Sequence, residues 1–397
     1  MDAIDDIVIG SGLAALGVVL GLGTRRRVLV LGGAQDGHFA HYDATASVPC
    51  AYSGMGGLGG YWHGVIPVSR RHDFNGADDA TFRRLFERFY PRAQGAQWIG
   101  KPALFVPWKP IRPAAELTQL AAQSQGRLQC RAVTAQRIDL GGAGVRVISD
   151  AGTHEAARVW VAAGAVHTPA LLARSFGEQV RRGTIADHVL CYVGHVDGVA
   201  APRTVVTRDG VYFPAYQDAA ETALYTLRPA RFAFRQLDHG IEQRAAFGLP
   251  TGSAIAKIMR SMSPGLLAEA FYNRFGLFAS ASRYSIYAQT PVDAAYRLTD
   301  GVMPLTPDAA RIRAAGDRAR AAQPFAGAVL SQRPDLHIPG IHLHHSLDAE
   351  GLRQAGLLQT DGPVQVVDAS QLEGIGSEHH SFKMLCVAHR RAQQSLG

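Results

Sequence analysis

The chain begins polar and then turns continuously apolar at Ile7-Val8-Ile9. A run with no polar alternation predicts a strand buried on both faces. Gly10-Ser11-Gly12-Leu13-Ala14-Ala15 follows, then an apolar helical segment over 16–22, then a second unbroken run, Val28-Leu29-Val30-Leu31. Strand, glycine turn, helix and strand make a β-α-β unit carrying the G-x-G-x-x-G/A fingerprint in its required context. Gly10 permits the tight turn, Gly12 lets the backbone approach a pyrophosphate at the helix N-terminus, and Ala15 keeps helix and strand close. A buried glycine-rich helix with no ligand is the alternative. An acidic residue should end the second strand to hold ribose hydroxyls. Gly32-Gly33-Ala34 stands there instead, which leaves the ribose to water or to another side chain such as Asp36.

Further along, Leu128-Gln129-Cys130-Arg131-Ala132-Val133 and Gly144-Val145-Arg146-Val147 alternate around Gly141-Gly142. This predicts a small antiparallel ribbon. Arg158-Val159-Trp160-Val161-Ala162-Ala163-Gly164 reads as another buried strand ending at glycine, with Pro169 placed to open the helix after it. From about 191 to 334 strand-like aromatic runs (Val211-Tyr212-Phe213, Ala223-Leu224-Tyr225-Thr226-Leu227, Ser285-Ile286-Tyr287-Ala288) alternate with helical stretches over 255–274 and 307–323. Val364-Gln365-Val366-Val367 is a last strand running into the turn Asp368-Ala369-Ser370.

Composition narrows the class. Over 397 residues, 47% apolar and 18% charged positions exclude a disordered chain. The net charge of +7 comes from scattered arginines, the densest run being Arg25-Arg26-Arg27. No nucleic-acid or membrane patch is expected from so short a run. Glycine is in excess, 43 residues, and it clusters. Gly54-Met55-Gly56-Gly57-Leu58-Gly59-Gly60-Tyr61-Trp62-His63-Gly64 would weaken any helix or strand. Its apolar and aromatic company points to a ligand-facing loop and not to a flexible linker. Cys50, Cys130, Cys191 and Cys386 are isolated, as reduced thiols are. Acidic residues precede the first apolar run, the wrong charge for a secretory leader. A soluble, cytoplasmic protein is the expectation.

Seven of the sixteen histidines, His337, His342, His344, His345, His379, His380 and His389, fall in the last part of the chain, around the 364–367 strand. Imidazole is the side chain suited to proton transfer near neutral pH, and two clusters flanking one strand could converge on one site. For His389 a hydrogen-bonded structural role is the expectation. Metal ligation lacks carboxylate or thiolate support here, and no metal is expected.

Taken in order, these landmarks resemble the glucose–methanol–choline oxidoreductase family, in a short, bacterial-type, FAD-dependent form. The resemblance rests on the 10–15 turn, Gly56-Gly57-Leu58-Gly59-Gly60-Tyr61-Trp62, the 163–172 segment, Asp187-His188, and Val367-Asp368-Ala369-Ser370 before a final helix. It implies an α/β fold (α+β overall): a two-dinucleotide-binding, Rossmann-like FAD domain with a parallel sheet, plus an inserted mixed-sheet substrate domain. The FAD domain would comprise 1–75, 111–190 and 335–397, with 76–110 connecting and 191–334 forming the substrate side. FAD contacts are implied at Gly10, Gly12, Leu13, Ala14, Ala15, Gly57, Gly60, Tyr61, Trp62, His63, Val133, Ala163, Gly164, Asp368 and Ala369. Tyr61 stands near the place of the family's flavin-linking histidine and His63 lies one residue past Trp62, so a non-covalent flavin is implied. The family's active site is a histidine with a second histidine or asparagine. Here these match His342 and His379, with His345 and His380 as neighbours in register. The implied activity is oxidation of a small-molecule alcohol, with oxygen or another electron acceptor. Non-oxidative acid–base chemistry on the same fold, or flavin binding without catalysis, are the alternatives.

Overall fold

In this computed structural model the described residues are 3–41, 49–68, 79–98, 101–141, 144–181, 184–197, 205–218, 223–229, 283–299, 302–330, 337–339, 342–345, 347–357, 362–372 and 374–397. Five strands form a parallel sheet in the order Val364–Val366, Arg158–Val161, Asp6–Ile9, Val28–Leu31, Leu128–Arg131. The two unbroken apolar runs are buried throughout because helices or strands cover both faces. On one face Val8, Val28, Val30 and Trp160 pack under Leu13–Leu22 and Ser381–Gln394. On the other, Ile7, Ile9, Leu29, Leu31, Val159 and Val161 pack under the helix Gly164–Phe176 and a three-stranded antiparallel ribbon. Leu13–Leu22 and Ser381–Gln394 approach very closely. A Cβ on Gly17 or Gly21 would overlap the main-chain carbonyl of Leu385 or His389.

Two sequence expectations are corrected here. The alternating piece at 128–133 does not join the ribbon. Leu128–Arg131 is the edge strand of the parallel sheet, paired with Val28–Leu31, and an edge strand alternates because one of its faces is partly open to water. The ribbon is Ala135–Gly141, Gly144–Ser149 and Gly152–Ala156. Pro169 also does not open its helix, which begins at Gly164 and holds Pro169 in its interior. Gly164 turns the chain at φ +85°, and Asp368 supplies the missing cap: one carboxylate oxygen accepts from the Gly164 N–H at 2.8 Å and the Thr168 hydroxyl at 2.5 Å.

The α/β architecture expected from the motifs is present, and the second sheet is antiparallel. It runs Val329–Leu330, Ile185–Asp197, Arg283–Val292, Leu224–Pro229, Gly210–Gln217, Ala103–Pro107, Ile66–Pro67. The expected helix near 307–323 is Ala309–Ala321, and the stretch 255–274 lies outside the described residues. Among the described residues no helix is long and apolar enough to cross a membrane.

Candidate active site

The C-terminal ends of the parallel strands open onto a cavity of about 310 Å³. This is where open α/β sheets bind ligands. Its walls come from the first turn (Gly10, Gly12, Leu13, Ala14), the second glycine cluster (Gly57, Tyr61, Trp62, His63), the Val133 loop, and Ala163-Gly164 with Asp368-Ala369. Ser11 clasps the two glycine loops. Its hydroxyl donates to the Gly32 carbonyl and accepts from the Gly56 N–H, both at 2.8 Å. Gly10, at φ +105°, is pressed against the Ala162 carbonyl. Ala15 is fully buried beneath the loop and Gly60 lies outside the lining.

Glycine serves another purpose at Gly12, Gly57 and Gly164. A Cβ there would meet only Gly56 at 3.8 Å, Gly12 at 3.9 Å, and nothing within 4 Å, respectively. These positions line open space, so their side chains would intrude on a guest and not on the protein. Gly12 is also the N-cap of Leu13–Leu22 and offers no side-chain cap, leaving first-turn N–H groups for an anion. A dinucleotide's pyrophosphate fits such a cradle. The ribose side differs. A Cβ on Gly32 would overlap the Met55 sulfur, so Met55 fills the place an acid would need. Asp36 is exposed and outside the lining. That end carries Thr134, His167 and Arg174, the last held by the Gln136 carbonyl at 2.9 Å.

At the opposite end four histidines gather. His379 Nδ1 and His342 Nε2 are 3.2 Å apart, a hydrogen bond whose direction follows the tautomer. The rings of His342 and His380 are 5.6 Å apart, and His188 lies 5.2 Å from His342 and 5.9 Å from His380. His342 and His380 line the cavity. Burial lowers both imidazoles well below their ordinary value. Charge on His379, His188 and His63 adds to this for His342, and charge on His342, His188, His344 and Lys383 for His380. His342 Nδ1 is buried and makes no hydrogen bond among the described residues. Burial thus favours the neutral form of His342.

The structure thus brings together His342, His379 and His380 from the sequence set. His345 is buried beside Ile185 and away from the lining, while His344 bonds the Leu372 carbonyl at 2.8 Å. Among the described residues no group of three His, Cys, Asp or Glu side chains is arranged to hold a metal. Sequence reasoning assigned no role to Ser11, Met55, Lys383 or Glu378. Lys383 and Glu378 form a buried ion pair at 2.6 Å beside His379 and His380. Their spacing of five offers no helical-face signal.

No family model and no curated protein matches the chain. Among solved structures, pyridoxine 4-oxidase from Mesorbium loti aligns over 98% of this chain and 99% of its own, with a TM-score of 0.52 and 13% identity. A fungal aryl-alcohol oxidase aligns over 99% and 98%, with a TM-score of 0.50 and 14% identity. The chain has the glucose–methanol–choline oxidoreductase fold. In this chain Val364–Val366 and Asp6–Ile9 belong to one sheet, so residues from both ends of the sequence bound the cavity.

Proposed function

We propose that the protein is an FAD-dependent oxidoreductase acting on a small-molecule alcohol. The observation that carries this reading is the His342–His379 hydrogen bond at one end of a glycine-lined cavity. Two facing imidazole nitrogens present one donor and one acceptor. An alcohol hydroxyl can donate one hydrogen bond and accept another, so it can lie between a ring nitrogen that accepts and one that donates. His342, neutral and desolvated, accepts the hydroxyl proton at Nε2, and His379 donates from Nδ1 to the oxygen as negative charge develops there. His380, also neutral, closes the cavity wall beside them. Bound FAD supplies the hydride-accepting chemistry. Gly12, Gly57 and Gly164 would hold its pyrophosphate side, and Ala369 and His63 the other. Both of these structural neighbours carry oxidase in their names, one for pyridoxine and one for an aryl alcohol. On this reading 191–334 is the substrate side.

The test is anaerobic. Purified protein should be yellow, acid precipitation should release the flavin, and an alcohol substrate should bleach it without oxygen. His342→Ala and His379→Ala should keep the flavin spectrum while slowing bleaching by roughly 10²–10⁴, the scale for losing positioned acid–base help. Yellow protein that no alcohol bleaches would refute the redox reading and favour acid–base chemistry. Colourless protein would refute the flavin itself.

A further inference from the structure

Beside the pair lies a dipeptide with no part in the chemistry above. Asp187 and His188 are fully buried on Ile185–Asp197. One carboxylate oxygen of Asp187 accepts the His188 N–H at 2.7 Å and the His342 N–H at 3.1 Å. His188 in turn reaches the other half of the site: its Nε2 donates to the Gly376 carbonyl at 2.7 Å. Gly376 lies in the segment that carries His379 and His380. The same segment is tied at Ser377 by Gln289 at 3.0 Å and Gln217 at 3.3 Å. Those two contacts fall on the half that carries Ser377. Asp187-His188 holds both, because His342 and His379 arrive from segments that share no strand.

We infer that Asp187 and His188 are positioning residues that set the His342–His379 distance, Asp187 through the backbone of His342 and His188 through the backbone ahead of His379. The inference rests on the reading that this pair performs the chemistry. Geometry gives it leverage, since a displacement near 1 Å costs about 10²-fold in a positioned reaction. His188 is also an electrostatic neighbour of His342. The groups facing His342 are the His63, His188, His379 and His380 rings and, at its backbone N–H, the Asp187 carboxylate; removing the basic His188 makes His342 easier to protonate.

The experiment compares His188→Gln with His188→Ala in the flavin-loaded protein. Glutamine can still donate to the Gly376 carbonyl and alanine cannot. His188→Ala should slow flavin reduction about 10²-fold, and His188→Gln should recover to within about tenfold of wild type. In both, the pKa limiting the rate at low pH should move upward. Hydrogen exchange of residues 374–382 should quicken in His188→Ala and stay slow in His188→Gln. Equal rates and an unmoved pH profile in all three proteins would overturn the inference. So would equal losses in both variants with the profile unmoved, which mark a purely structural residue. Should no alcohol bleach the wild type, the functional reading fails alone. The exchange comparison still decides whether His188 holds the segment, and unchanged exchange in His188→Ala would overturn that.

Discussion

Gly17→Ala sets two physical effects of opposite sign against each other. Gly17 lies inside Leu13–Leu22, where alanine is favoured over glycine by about 1 kcal/mol from helix propensity alone. The new Cβ, however, would overlap the Leu385 carbonyl of the final helix. Overpacking costs typically about 1–3 kcal/mol. The upper end applies because the obstructing atom is main chain in the middle of a helix, and no rotamer can move it aside. The net expectation is a loss of about 2 kcal/mol, roughly a 30-fold fall in the folding constant at 1.4 kcal/mol per decade. The assay is the urea midpoint of wild type and variant, read by near-ultraviolet circular dichroism. Gly21→Ala, which meets the His389 carbonyl one turn later, should act in the same direction. Because His380 is the N-cap of the displaced helix, alcohol-driven bleaching should slow as well. A raised midpoint for Gly17→Ala would show that propensity wins and that the two helices are not in the contact described.

Gly12→Val should fold with a midpoint near that of wild type, because its Cβ has room within the protein. It should nevertheless purify without flavin, as read by the absorbance ratio at 450 and 280 nm (roughly zero); a yellow Gly12→Val protein would move the pyrophosphate elsewhere. Stability should also depend on pH through His342 and His380, whose native values burial depresses. The unfolded chain binds their protons first, so stability is fully present above an ordinary imidazole value of about 6.5 and falls as pH drops below it. The slope should approach about 1.4 kcal/mol per pH unit for each ring until its depressed native value is reached. His380→Gln should remove one ring's share. A slope unchanged in that variant would refute the assignment.

Much of the fold was legible because its central strands are buried on both faces and their glycine turns are fixed in spacing. Asp6–Ile9 and Val28–Leu31 could hardly be read otherwise. Leu128–Arg131 was misplaced because an edge strand in a parallel sheet shows the same alternation as a ribbon strand. Pro169 was misread since its helix is started by Asp368, some two hundred positions away, and no local pattern announces a long-range cap. At the site, His342 and His379 were found by motif, but their contact is tertiary. Met55 was invisible as the residue replacing an acid, because its claim on that space depends on the Gly32 backbone and not on sequence distance.

The interleaving of early and late strands has a consequence for how the molecule is made. Asp6–Ile9 and Leu13–Leu22 leave the ribosome well before Val364–Val366 and Ser381–Gln394, which are needed to finish their sheet and cover their helix. At about 5–20 residues per second, the stretch between Leu22 and Val364 takes on the order of 20–70 s to synthesise. Throughout that interval the apolar surface around Leu16, Val18 and Leu22 is without its permanent cover. The Gly10–Ala15 turn thus precedes by most of the chain the helix that encloses it. Until Ser381–Gln394 is made, that waiting surface is a natural client for chaperones.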